Sequence, residues 1–234
     1  GSKSDIDWNG PFHAAGLIFL RVHDEDMSHV LSLSRRAMVP CAVLNRHVEE
    51  NPIISCTTDN FFGGRLAAEH LIELGHRQVG VVLGSLSAQS SAFRLDGIRS
   101  TFEERGLPID PRNIICRPGP LEEQLQYSRT LVDAGVTAII AGNDRFALKI
   151  IAEAQGRGIR VPQELSVVGF DGTELGEHAH PPLTSVRTPW TEMTQLTAEM
   201  ILLRVKTPCL QQAVVTLSPN LIERKSCGPP PPSH

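Results

Sequence analysis

Short apolar runs, separated by longer amphipathic stretches, dominate the pattern of hydrophobic and polar positions along the chain. The runs are rich in β-branched residues and do not alternate with polar residues, which is typical of strands buried on both faces of a parallel sheet. We therefore predict a strand at each run and a final strand near the end of the chain. The predicted strands cover residues 14–20, 39–44, 78–83, 137–141, 165–170 and 213–217.

The stretches between these runs have the period of α-helices and carry helix start and stop signals. Asp59 is placed to cap a helix that runs through residues 63–74, and Gly75 suits its C′ position. Ser90 or Ser91 is placed to cap the next helix, which ends at Gly106. Further helices are predicted over residues 121–134, 143–155 and 191–205.

Strands and helices in this alternating order predict an α/β fold with a doubly wound sheet. Ligands of such sheets bind outside the carboxyl ends of the strands, so the polar residues after each apolar run are candidates. Their convergence favours a small polar ligand, although exposed loops are polar in any protein. The candidates are Arg21 and His23, Asn45 and Arg46, residues 84–94, residues 142–144, and residues 171–174.

Composition narrows the class of protein. The 234 residues are 41% hydrophobic and 21% charged, which suits one large domain or two lobes of roughly a hundred residues each. We expect a soluble protein, because no apolar stretch approaches the ~18 residues of a membrane-spanning helix and no secretory-signal pattern is present. With a net charge of −4 and no block of basic residues, this chain is not expected to bind nucleic acid directly.

The cysteines of the chain are widely spaced and form no C-x-x-C pair. We expect them to be reduced and to pack as small hydrophobic residues, which favours a reducing, cytoplasmic compartment. These residues are Cys41, Cys56, Cys116, Cys209 and Cys227.

Motifs for metal binding and catalysis are not found. His178 and His180 lie near Glu177, but a fourth ligand is missing, so no metal site is predicted. No phosphate-binding glycine loop or nucleophile elbow occurs, and the paired carboxylates at 103–104 and 122–123 are interpreted as helix surface. We therefore expect no cofactor and no enzymatic activity.

Five ordered motifs resemble those of a known protein family. Residues 58–84 are similar to D-N-x-x-G-x-x-x-A-x-x-H-L-x-x-x-G-H-x-x-I, and the segment from Arg94 is similar to R-x-x-G-[FYWI]. Residues 141–148, 161–171 and 181–186 are similar to A-x-N-D-x-x-A, V-P-x-D-[IV]-S-[VI]-x-G-[FY]-D and P-x-L-T-[ST]-[VI]. The chain thus resembles the effector-binding core of lactose/galactose-repressor-type (LacI/GalR) transcription regulators.

The resemblance implies two Rossmann-like lobes of the periplasmic-binding-protein type (type I), with the effector in the cleft between them. The N-terminal lobe would hold residues 1–57 and 188–217. The C-terminal lobe would hold 58–187 and 218–228, followed by a disordered tail at 229–234. Family members also carry a helix-turn-helix headpiece and a first strand–helix unit without counterpart here. We therefore expect a partial N-terminal lobe, and operator DNA as a partner only through the absent headpiece.

The family also uses its C-terminal lobe as a two-fold interface, which implies a homodimer. The implied interface consists of the helix at 143–155 and the loop at 175–180. Phe146, Leu148 and Ile151 are interpreted as giving this helix more apolar surface than contact with one sheet requires.

Two residues are assigned to the effector by their place in the family motifs. Arg94 could donate two parallel hydrogen bonds to vicinal hydroxyls or to a purine edge, whereas Arg99 on the same helix is interpreted as a surface residue. Asp171 could accept hydrogen bonds from two hydroxyls, and capping of the next turn is the alternative.

Four further effector candidates each have a structural alternative. Asn143 opens a helix, so it could cap that helix or turn its amide to the effector. Trp190 could stack on a sugar or purine, or belong to the core. Asn45 replaces an aspartate common in the family but could still meet a hydroxyl, and Ser90 could share the loop contacts. Asp144 is interpreted as serving the helix N-terminus.

The leading hypothesis is the effector-binding and dimerisation core of a bacterial transcription regulator, whose lobes change their relative orientation when ligand binds. A solute-binding protein of a sugar transport system is the alternative, since the fold is shared. The motif positions of Arg94 and Asp171 serve both sugar-binding and purine-binding members. We favour a monosaccharide or small polyol over a purine.

Overall fold

A computed structural model describes residues 14–20, 22, 24–36, 39–49, 53–117, 121–207 and 213–232. Arg21, His23 and Cys209 lie outside the described residues. The chain divides into two compact units. The first unit takes the described residues within 1–58 and 190–217, and the second unit takes those within 59–189 and 218–234.

Strands and helices alternate along most of the chain, as the hydrophobic pattern predicts. The strands are β1 (Leu17–Leu20), β2 (Cys41–Leu44), β3 (Ile53–Thr58), β4 (Val79–Leu83), β5 (Ile114–Cys116), β6 (Ala138–Ala141), β7 (Ser166–Asp171), β8 (Thr184–Arg187), β9 (Val214–Leu217) and β10 (Asn220–Ile222). The helices are α1 (Asp24–Arg36), α2 (Asn60–Glu73), α3 (Gln89–Glu104), α4 (Leu121–Asp133), α5 (Asp144–Gly156), α6 (Glu174–Glu177) and α7 (Trp190–Lys206).

The first unit is a parallel sheet in the order β1-β2-β3-β9. Successive residues of β2 point to opposite faces: Ala42 packs with Ile201 of α7, and Val43 packs with Val30 of α1. The central strands β2 and β3 are therefore buried on both faces, which explains the continuous apolar run that predicted β2.

Strand β1 lies at an edge of this sheet. Within the part of the chain that the structure describes, β1 pairs only with β2. Its Ile18 and Leu20 side chains are 40% and 62% exposed. An apolar edge strand of this kind is a weakly protected part of a fold.

The second unit is a six-stranded sheet in the order β10-β8-β7-β6-β4-β5, parallel except for the antiparallel edge strand β10. Ile140 of β6 packs with the core formed by α2 and α3, and the preceding Ile139 packs with the core formed by α4 and α5. Helices thus cover both faces of the sheet. The predicted doubly wound α/β fold is confirmed.

Helix boundaries confirm one predicted cap and correct another. Asp59 accepts a hydrogen bond from the backbone N–H of Phe62 at 2.8 Å and caps α2, and Gly75 follows that helix at φ +97°. The predicted cap at Ser90 or Ser91 is wrong. Helix α3 begins at Gln89 without a side-chain cap, so both serines lie within its first turn.

Several elements are not anticipated by the hydrophobic pattern. Strands β3 and β8 contain Ser and Thr at buried positions, and their sequences IISCTT and TSVR do not read as apolar runs. Their hydroxyls are satisfied by hydrogen bonds, as when Ser55 donates to the carbonyl of Arg46. Strands β5 and β10 have three residues each, and α6 has four, which is too short for a periodic signal.

Helix α5 departs from the expectation of surplus apolar surface. Phe146 and Ile151 are 4% and 2% exposed and belong to the core of the second unit, with Leu148 partly buried against it. The interpretation of Phe146 and Ile151 as interface residues is therefore wrong. Leu175 of α6, at 65% exposure, is the apolar side chain of this region that faces solvent.

The segment from Gly228 to Pro230, which includes the first residues of the expected disordered tail, contacts the second unit. His76 is 1% exposed and its Nε2 donates to the carbonyl of Gly228 at 2.9 Å, while its Nδ1 lies 2.8 Å from the hydroxyl of Thr137. Pro230 lies beside Gly75. Burial lowers the pKa of His76, because the charged ring would lose its hydration. A neutral histidine thus connects the loop after α2 with the segment after β10.

Candidate functional site

Four of the six predicted effector residues belong to the second unit and follow three neighbouring strands. Ser90 and Arg94 lie on α3, which follows β4; Asn143 follows β6; and Asp171 ends β7. These strands are parallel and adjacent in the order β7-β6-β4, so their carboxyl ends meet at one edge of the sheet. The structure therefore brings these segments to one edge, as predicted from their places along the chain.

The Arg94 side chain is held by groups from two other segments. It is 7% exposed, its Nε donates to Asn60 Oδ1 at 2.9 Å, and its Nη1 donates to the carbonyl of Gly142 at 2.7 Å. Its guanidinium carbon lies 4.4 Å from the centroid of the Phe170 ring. A guanidinium has five N–H donors, so this anchoring leaves donors for a further partner.

Burial has a marked electrostatic effect on Arg94. It lowers the pKa of the guanidinium, and the negative charges of Asp171 and Asp144 oppose that change. An arginine in such surroundings remains charged in proteins. The charge is therefore fixed in place beside carboxylates, where a polar or anionic group can be recognised through directional hydrogen bonds.

Two glycines explain how α2 and α3 approach closely enough to form this arrangement. A Cβ on Gly64 would lie 2.2 Å from the carbonyl oxygen of Arg94, and one on Gly97 would lie 2.0 Å from that of Phe61. The two helices are thus in backbone contact. This contact sets the distance from Asn60 on α2 to Arg94 on α3.

Asp171 occupies an unusual backbone conformation at the end of β7. Its φ is +109°, and that of the next residue, Gly172, is +70°. A non-glycine residue with positive φ is strained and persists where surrounding contacts hold it. Here the carbonyl of Asp171 accepts a hydrogen bond from the backbone N–H of Thr188 at 3.3 Å. The predicted capping role does not describe this residue, because Thr173 is the N-cap of α6.

Asn143 caps one helix, whereas Ser90 lies within the first turn of another. Asn143 Oδ1 accepts a hydrogen bond from the backbone N–H of Phe146 at 2.8 Å and caps α5. The capping interpretation is therefore confirmed. The residue is exposed, so its side-chain N–H groups can donate elsewhere, and its role toward the effector stays a prediction. Ser90 is half-buried in the first turn of α3.

The other two predicted effector residues belong to the first unit. Asn45 follows β2 at φ +56°, and its backbone N–H donates to the carbonyl of Cys56 at 2.8 Å. Its side-chain Oδ1 is buried and has no hydrogen-bond partner among the described residues. Trp190 begins α7 and is 38% exposed. An unpaired buried acceptor and an exposed aromatic side chain are both groups that a polar ligand could use.

Comparison with known sequences decides the family. Residues 68–227 match the family described as periplasmic binding protein-like domain. The chain belongs to this family. It is 37% identical over 180 residues to the transcriptional regulator DegA of Bacillus subtilis, covering 76% of this chain and 53% of that protein. It is 30% identical over 166 residues to the ribose operon repressor of Haemophilus influenzae, covering 70% and 50%.

Solved structures of the periplasmic-binding-protein-like family give the same result. The complex of the regulator CelR with cellobiose is 28% identical, with a TM-score of 0.81, over 92% of this chain and 66% of that one. A LacI-family regulator of Enterococcus faecium with bound ribose is 26% identical, with a TM-score of 0.80, over 92% and 80%. The resemblance to the core of LacI-type regulators is confirmed. The chain spans about half the length of the two curated relatives.

The sequence analysis missed several residues of this site. Asn60 was present in the family motif but was not assigned, and it accepts a hydrogen bond from Arg94 Nε. Phe170 stacks on the same guanidinium. Asp144 lies in the first turn of α5, as assigned, but its carboxylate also accepts hydrogen bonds from Thr173 and Ser185, which were not predicted. No local pattern signals these contacts, because each joins segments far apart along the chain.

Two properties of the described residues bear on other classes of function. No group of three or more His, Cys, Asp or Glu side chains in the described ranges is arranged to hold a metal ion. Among the helices given above, none is long and apolar enough to span a bilayer.

Proposed function

We propose that the chain is the effector-binding and dimerisation core of a LacI-type transcription regulator and that its effector is a small sugar or polyol. The observation that carries the proposal is the buried, anchored Arg94 at the edge of the sheet where Asn143 and Asp171 also lie. A planar guanidinium and a carboxylate can together bind vicinal hydroxyls, as donor and acceptor respectively.

The ligands of related proteins support a sugar. The related CelR structure holds cellobiose, and the related Enterococcus faecium structure holds ribose. A purine effector is the competing class, since a PurR repressor of Vibrio atlanticus is 28% identical over 196 residues. We therefore propose Arg94, Asp171, Asn143, Ser90, Asn45 and Trp190 as the effector-binding residues.

Calorimetric titration of the purified chain tests the effector class. The panel consists of D-ribose, D-xylose, cellobiose, sugar phosphates, hypoxanthine and guanine. Binding of a sugar that Arg94→Ala weakens, and that Arg99→Ala on the exposed side of the same helix leaves unchanged, is the expected result. Purine binding with no response to any sugar would replace the sugar proposal.

Operator binding and compartment are proposed for a longer protein of which this chain forms the core. The relatives described above are transcription regulators, and the chain covers about half of each curated one. We propose a cytoplasmic regulator that acts by binding, without catalysis, and whose operator contacts lie outside this chain. A solute-binding protein of a transport system is less well supported, because these relatives regulate transcription. The codons upstream in the parent gene distinguish a helix-turn-helix from a signal peptide.

A further inference from the structure

Asp144 has the most completely hydrogen-bonded buried carboxylate of the second unit. It is the first residue of α5 and is 1% exposed. Its Oδ2 accepts from the backbone N–H of Thr173 at 2.6 Å and from the Thr173 hydroxyl at 2.9 Å. Its Oδ1 accepts from the hydroxyl of Ser185 on β8. All of these donors come from outside α5.

A helix-capping role does not account for this arrangement. The cap of α5 is Asn143, whose Oδ1 accepts from the N–H of Phe146. Burial raises the pKa of Asp144, and the hydrogen bonds from Ser185 and Thr173 together with the charge of Arg224 act against that rise. Burying a carboxylate is costly unless it is well hydrogen-bonded, so the position of Asp144 requires an explanation beyond helix stability.

The partners of Asp144 hold the turn that follows Asp171. Ser185 Oγ, which donates to Asp144, also accepts from the backbone N–H of Gly172 at 3.1 Å. The amides of both residues that follow Asp171 are therefore fixed by one network. This turn contains the two successive positive φ angles, which surrounding contacts must maintain.

The absence of a side chain at Gly169 makes room for the Asp144 carboxylate. A Cβ on Gly169 of β7 would lie 2.4 Å from Asp144 Oδ1, and one on Gly176 of α6 would lie 3.5 Å from Oδ2. The carboxylate thus lies directly against the backbone of β7. Gly142, two residues before Asp144, provides the carbonyl that accepts from Arg94 Nη1.

We propose that Asp144 is a positioning residue for the effector site. Its carboxylate, acting through Thr173 and Ser185, holds the turn from Asp171 to Thr173 in the conformation that presents the Asp171 carboxylate to the effector. This inference rests on the proposed function, because Asp171 is one of the effector residues proposed there.

Amide hydrogen exchange, followed by NMR on the chain without effector, tests the turn independently of any ligand. In Asp144→Asn a side-chain amide replaces one acceptor oxygen. The Gly172 and Thr173 amides should then exchange roughly tenfold faster, because a charge-assisted hydrogen bond is lost. The Thr173 amide resonance should also lose the downfield shift of a short bond to a carboxylate. Asp133→Asn, which removes an exposed carboxylate of the same unit, is the control.

A second pair of variants decides the question if Asp144→Asn fails to fold. Thr173 is exposed, so Thr173→Val should fold while losing the hydroxyl bond to Asp144 together with the N-cap of the short helix α6. Thr173→Ser keeps that hydroxyl and should restore the exchange rates of the original chain.

Titration with D-ribose connects the turn to effector binding. If the original chain binds D-ribose, Asp144→Asn and Thr173→Val should each weaken binding by roughly tenfold, and Thr173→Ser should not. Unchanged exchange in the Asn and Val variants, or altered exchange with unchanged D-ribose affinity, would overturn the positioning role. An original chain that ignores D-ribose counts against the proposed ligand, and the exchange rates then decide by themselves whether Asp144 holds the turn.

Discussion

Replacement of Arg94 by alanine should reduce both the stability of the second unit and its affinity for effector. The side chain donates two hydrogen bonds to Asn60 and Gly142 and stacks on Phe170, all in a buried setting. Removing it leaves the Asn60 Oδ1 and the Gly142 carbonyl without these donors. We expect losses of about 1–3 kcal/mol for each unpaired acceptor and about 1–2 kcal/mol for the ring contact.

One contribution to the free energy of unfolding of Arg94→Ala acts in the opposite direction. Folding no longer has to bury the guanidinium charge, and removing a buried charge recovers part of its desolvation free energy. The net loss in free energy of unfolding should therefore be about 2–4 kcal/mol, less than the sum of the separate contacts. Effector affinity should fall by a similar free energy, because the ligand groups that Arg94 binds lose their donor.

Two measurements separate the stability effect from the binding effect. Urea denaturation followed by circular dichroism gives the free energy of unfolding, and calorimetry at a temperature where both proteins are folded gives the affinity for a sugar that the original chain binds. Arg99→Ala, on the exposed side of α3, should change stability by less than about 0.5 kcal/mol. If Arg94→Ala is as stable as Arg99→Ala, the network described for Arg94 does not contribute to folding. If it also keeps full affinity, Arg94 is not an effector residue.

Three further predictions concern packing, pH and association. Gly64→Ala should destabilise the second unit by about 1–3 kcal/mol in urea denaturation, because the Cβ of the new alanine would collide with the Arg94 carbonyl. Gly156→Ala is the control and should be tolerated, because its Cβ would meet no atom within 4 Å. Burial lowers the pKa of His76, so the unfolded chain binds more protons than the folded chain near that pKa. The free energy of unfolding should therefore decrease as pH falls through about 6.5, and an increase in this free energy would contradict the prediction. Leu175→Lys should weaken self-association through the second unit, measured by sedimentation, because it places a charge at an exposed apolar position. An original chain that is monomeric at ~50 μM would refute the homodimer proposal.

Local patterns were sufficient wherever one stretch of chain determines its own structure. The run at 137–141 predicted β6 because a strand buried on both faces must be apolar at successive positions. Asp59 predicted the start of α2, and Gly75 its end, because capping and positive φ depend on the residue type at one position. The same reasoning failed at Ser90 and Ser91, because α3 begins at Gln89 and Ala88, its N-cap residue, provides no side-chain cap.

The polar strands show where a local pattern stops being informative. β8 contains Thr184 and Ser185, both fully buried, and no sequence rule marks TSVR as the interior of a sheet. Its hydroxyls become favourable in the core only because Asp144, on another element, and Arg224 supply their partners. The need for those partners cannot be read from the strand itself.

The sequence by itself determined most of the alternating strands and helices, the α/β class and the segments that meet at one edge of the second sheet. Only the tertiary structure decided which side chains there act together. Arg94 was assigned to the effector from its motif, but its anchoring by Asn60 and Gly142 depends on the backbone contact at Gly64. The hydrogen bonds of Asp144 to Thr173 and Ser185 were not predicted for the same reason. Hydrogen bonds between distant segments depend on distances that only the folded structure sets, so the residue types in one segment do not predict these bonds.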